Sequence, residues 1–124
     1  MSEYIEALPA VEISAGTMTR IEIDDHDLLI ANAGGSYYAA DAFCPHLHGH
    51  LWEGTLEGTV LTCPRHGSQF DLADGHCVRW TEWSGAVKSM AEFARHPRPL
   101  RVYECVVEDG KVLVGPQKEP PAQG

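Results

Sequence analysis

No stretch of the 124 residues is apolar for long enough to span a bilayer, and the N-terminus lacks the basic-then-apolar order of an export leader. Both absences point to a soluble, cytoplasmic chain with no membrane partner. Positive charge is scarce too: 9 Lys and Arg stand against 18 Asp and Glu, a formal net charge of −9. Such a surface repels phosphate backbones and anionic lipid. Nucleic acid is therefore excluded as a partner, and a protein with a basic patch is favoured. Cysteine is limited to 4 residues, two of them paired with histidines, so no disulfide framework is legible. The length suits one domain with a real core and leaves no room for a second, catalytic one.

The stretch 44–68, CPHLHGHLWEGTLEGTVLTCPRHGS, organises the rest. Cys44 and His46 form a C-x-H pair, Cys63 and His66 a C-x-x-H pair, and 16 residues, 47–62, separate them. Pro45 and Pro64 fix the backbone just after each sulfur, and Gly49 and Gly67 follow the histidines where tight turns demand unusual angles. Two such loops can pinch one metal centre.

The pattern C-P-H-x(16)-C-P-x-H-G-S, followed by Gln69, Phe70 and Asp71, resembles the Rieske-type [2Fe-2S] ferredoxins over about residues 11–114. The resemblance implies one [2Fe-2S] cluster, with Cys44 and Cys63 on one iron through sulfur and His46 and His66 on the other through ring nitrogens. It implies an all-β Rieske fold: an antiparallel sandwich or partial barrel over residues 1–115, with a cluster-binding hairpin subdomain at about 42–72. It also implies a one-electron carrier, not an enzyme in itself, working between a flavin-dependent reductase and the terminal component of a ring-hydroxylating dioxygenase.

Mixed ligation has a chemical reason. Two thiolates neutralise the charge of two ferric ions and two sulfides, whereas four thiolates would leave the site negative before any electron arrives. Mixed-ligand sites therefore span roughly −150 to +300 mV, against about −400 mV for four-cysteine clusters. High-potential family members carry a disulfide between the loops at positions that fall here on Gly49 and Arg65, so that bridge cannot form. Ser68 matches a serine that donates to the cluster in those members, but Phe70 stands where they have a tyrosine and offers no hydroxyl. A low to intermediate Rieske potential is expected. Leu47 and Leu51 are expected to shield the cluster from water, and His48 and His50 to be exposed loop polarity.

Other readings of the same residues exist. Cys44, His46, Cys63 and His66 could hold structural zinc, although zinc sites usually place two cysteines in one knuckle and two histidines in another. A C-x-x-x-H pair through His48 is conceivable, and the resemblance favours His46. A nitrite reductase small subunit of the same fold is a further alternative. A complete Rieske oxygenase would need a second domain carrying a mononuclear iron.

Along the chain, strands are expected at residues 10–14, 18–23, 28–33, 37–40, 59–62, 69–72, 76–80, 100–107 and 111–114. Tight turns are expected at Asp24-Asp25, Gly34-Gly35, Asp74-Gly75 and Asp109-Gly110, and a short hairpin about Gly58 between the ligand pairs. Trp83, Val87, Met90, Ala91 and Ala94 recur at helical spacing, so residues 81–95 read as a surface helix ended by Pro97 and Pro99. Cys77 and Cys105 read as small buried hydrophobes, with a mutual disulfide as the lesser alternative. Residues 116–124, rich in Pro, Gln and charge, read as a flexible tail.

Overall fold

A computed structural model of the chain describes residues 4–45, 49–64, 67–79 and 99–119. The architecture is all-β. Its strands are β1 (Ile5–Pro9), β2 (Thr17–Ile23), β3 (His26–Ala33), β4 (Ser36–Asp41), β5 (Thr55–Glu57), β6 (Val60–Thr62), β7 (Gln69–Asp71), β8 (Cys77–Arg79), β9 (Val102–Glu108) and β10 (Lys111–Gln117). The first six-stranded sheet, in the order β1-β10-β9-β4-β3-β2, curls into a nearly closed barrel, and a four-stranded sheet, β5-β6-β7-β8, sits beside it.

The hairpins follow from their turns. Asp24 and Asp25 (φ 50° and 68°), Gly34 and Gly35 (φ 66° and 103°), and Asp109 and Gly110 (φ 53° and 76°) all adopt left-handed backbone angles. Two consecutive residues of this kind make a turn whose twist matches that of paired strands, and Asp and Gly tolerate it best.

Two expectations are corrected at the ends of the sheet. The strand expected at residues 10–14 lies upstream, at Ile5–Pro9, and Ala10–Glu12 form a 3-10 turn. The edge of β10 decides this, because Ile5 and Leu8 pair with Val114 and Val112. Ala10 then donates to the Gly110 carbonyl at 2.8 Å, and Val11, despite its strand propensity, is left 89% exposed. The last strand runs past the expected 114 to Gln117, with an irregularity between Val114 and Gln117 where Pro116 has no N–H to give the ladder. Lys118 still donates its N–H to the Val102 carbonyl at 2.8 Å. The helix expected at 81–95 lies outside the described residues.

Strand β3 divides the interior. Leu28 and Ile30 point into the barrel with Ile13, Ala39, Val112 and Val114, while Leu29 and Ala31 face the small sheet. That second core, between the sheets, joins Ala40 and Val102 of the barrel to Leu51, Leu61, Phe70 and Leu72, and it includes Cys44 and Cys63. The barrel wall is pinned just before the first loop. Asp41 accepts from Arg101 Nε at 2.8 Å and from the Tyr103 hydroxyl at 2.7 Å, tying the end of β4 to β9.

Candidate metal centre

The two cysteine loops are built alike. Cys44 donates its N–H to the Gly49 carbonyl at 2.9 Å, and Cys63 donates to the Ser68 carbonyl at 2.7 Å. Each loop thus closes on itself between its cysteine and the residue five positions on. The first stands on a short ladder, with Phe43 bridged to His50 and Leu51 donating to the Ala42 carbonyl at 3.0 Å. The second stands on the β6–β7 hairpin, where Thr62 pairs with Gln69 and the Gln69 amide donates to the Thr62 hydroxyl at 3.2 Å. Gly67, at φ 75°, donates back to the Cys63 carbonyl at 3.1 Å and makes the last bend.

The loops deliver both sulfurs to the same apolar core. Cys44 and Cys63 are 1% and 2% exposed, among Leu51, Leu61, Phe70 and Leu72. A thiolate in such surroundings is costly unless a cation compensates it, and soft sulfur selects iron–sulfur or zinc centres. Two buried thiols at the mouths of matched loops therefore fit a cluster. His46, Leu47, His48, Arg65 and His66 lie outside the described residues. Among the described residues no three Cys, His, Asp or Glu side chains converge as a metal site, and of the four expected ligands only Cys44 and Cys63 are described.

Ser68 and Phe70, read as neighbours of the centre, are both fully buried, and Phe70 packs into the same core as the two sulfurs. Leu51 is fully buried in that core too. His50 lies on the outside, its ring stacked on Trp52 at 4.5 Å and its Nδ1 3.4 Å from Glu53 Oε1. Phe43 meets both rings edge-on, and Arg20 lies over Trp52 at 5.7 Å, so this aromatic group stands at the base of the first loop, where Phe43 bridges His50. Cys77 and Cys105 are only partly buried, and they pack against different cores. No disulfide involves Cys105; burial pushes its thiol up to about 11.

One contact was not visible in the sequence. Arg79 on β8 donates through Nε and Nη2 to the Gly67 carbonyl, at 3.1 and 3.0 Å. No short motif marks it, because 12 residues separate the partners.

The family model of the Rieske [2Fe-2S] domain matches residues 3–97. This chain belongs to the Rieske [2Fe-2S] family. The family implies one [2Fe-2S] cluster, which takes up and gives back a single electron when bound. The Rieske chain is 28% identical over 117 residues to ferredoxin CarAc of Metapseudomonas resinovorans, covering 94% of this chain and 96% of that one. It is 31% identical over 103 residues to the ferredoxin component of biphenyl 2,3-dioxygenase from Rhodococcus jostii, covering 83% of each. A solved complex of reduced oxygenase and oxidised ferredoxin in carbazole 1,9a-dioxygenase contains a chain that superposes with a TM-score of 0.73 at 26% identity, covering 98% of this Rieske chain and all of that one.

Proposed function

We propose that this Rieske chain is a one-electron carrier of the cytoplasm, taking electrons from a flavin-dependent reductase and passing them to the terminal component of a ring-hydroxylating oxygenase. In this reading Cys44 and Cys63 hold one iron and His46 and His66 the other. The observation that carries it is the pair of matched loops that bring Cys44 and Cys63, both buried, into one apolar core. Relatives named as ferredoxin components of dioxygenase systems are matched over most of their own length, which supports the carrier reading. Residues 1–115 would form the working domain.

The chain's own residues do three things in this role. The core leucines and Phe70 keep water from the sulfurs, which raises the cost of any charge that is not compensated. The backbone closures at Cys44 and Cys63 fix the sulfurs before metal arrives, so little has to move when the electron does. An imidazole ligand keeps a proton on its outer ring nitrogen, so His46 and His66 as ligands would couple electron uptake to proton uptake.

Replacing His66 with Cys, or His46 with Cys as a second variant, tests the ligand set. A third thiolate adds negative charge, so the midpoint should fall by on the order of 100 mV or more toward the four-cysteine value. An intact variant cluster with an unchanged midpoint in both proteins would contradict the proposed ligation.

A further inference from the structure

Arg79 is the one described cation whose side chain grips the backbone of a cluster loop. Its guanidinium closes on the Gly67 carbonyl with two N–H donors, while the Gly67 N–H is spent on Cys63. Both sides of Gly67 are thereby fixed. The register of β8 brings this about: Gln69 pairs with Arg79 and Phe70 with Cys77, leaving Val78 as an extra residue. Such a bulge bends its strand and re-aims the side chain beyond it, here onto the loop.

The contact also acts on the next peptide unit. No peptide bond in the described chain is cis, so the Ser68 N–H points opposite to the Gly67 carbonyl, away from Arg79, and Ser68 itself is fully buried. A cation on the carbonyl polarises that peptide and strengthens its N–H as a donor. Arginine's charge is permanent, and its fork holds the peptide plane in place.

We propose that Arg79 is a positioning residue that locks the second cluster loop through the Gly67 carbonyl and raises the midpoint potential. This rests on the Rieske carrier reading above. An arriving electron adds one negative charge to the centre, and a fixed positive charge bound to its loop stabilises that reduced form. No bond changes at Arg79 and no proton leaves it. The effect is moderate because Arg79 is solvent-exposed, so its charge is partly screened.

The experiment is a redox titration of the cluster-loaded protein and of Arg79→Gln and Arg79→Lys, with paramagnetic resonance spectra and cluster-loss rates recorded for each. In Arg79→Gln the equilibrium constant for reduction should fall about threefold, or about 28 mV for a one-electron couple. Arg79→Lys should restore the wild-type midpoint while losing cluster faster than wild type, since lysine keeps the charge without the fork. A wild-type midpoint in loaded Arg79→Gln overturns the proposal. So does a midpoint in Arg79→Lys as low as in Arg79→Gln, and so does failure of both variants to hold a cluster, which would leave Arg79 a folding role alone. Absence of a Rieske signal in the wild-type protein would instead be failure of the carrier reading, and it shows before any variant is made.

Discussion

Tyr103 gives its hydroxyl proton to Asp41 at 2.7 Å from a half-buried position on β9. Burial, first, and then the bond to Asp41 push its ionisation well above the ordinary phenol value of 10.0. The folded state therefore holds this proton more tightly than the unfolded chain. The contribution to stability is complete below about pH 10 and is lost as the pH rises from there toward the raised folded value. Thermal melts between pH 9 and 12 should show a falling midpoint that Tyr103→Phe flattens, at the cost of the bond to Asp41. Parallel slopes in the two proteins would remove Tyr103 from the alkaline transition. At this scale the site was only half legible. Cys44 and Cys63 stand out because sulfur followed by Pro, with His close behind, has few other uses. Tyr103 and Arg101 meet Asp41 across 62 and 60 positions, separations at which spacing carries no signal.

Among the elements, the junction between the 3-10 turn Leu51–Glu53 and β5 bears directly on the second loop. Gly54 lies there so close to β6 that a methyl group would collide with the Thr62 carbonyl oxygen and stand 3.1 Å from Pro64 Cδ. The colliding atom is backbone, held by the β5–β6 ladder one residue before Cys63, and has little freedom to yield. Gly54→Ala should cost about 1–3 kcal/mol, lower the calorimetric Tm by several degrees and speed loss of the cluster. A variant with wild-type Tm and cluster lifetime would show that the junction has slack. The hairpins were legible because their turns are two-residue pairs of Asp and Gly, whose chemistry is local. The first strand was not. Residues 10–14 have the composition of a strand, but the free edge of β10 is matched by Ile5 and Leu8 instead, and Val11 is left in solvent. Arg79 was missed for the related reason that a bulge on β8, invisible in the sequence, turns it onto Gly67.

As a whole molecule the chain is a barrel with a small sheet laid against it, and the two cysteines sit in the core between them. Loss of packing between the sheets would therefore reach the sulfurs directly. Among the described residues no helix is long and apolar enough to cross a membrane. For the proposed carrier, the net charge of −9 predicts partner contacts that weaken as salt is raised. In the proposed centre, histidines complete the ligand set begun by Cys44 and Cys63. A redox titration of the purified protein, followed by electron paramagnetic resonance at several pH values, tests it most directly. The expected result is a reduced signal with an average g below that of four-cysteine clusters, and a midpoint low in the Rieske range that falls above neutral pH toward about 59 mV per unit. A four-cysteine signal with a midpoint indifferent to pH, or a colourless protein holding zinc, would contradict it.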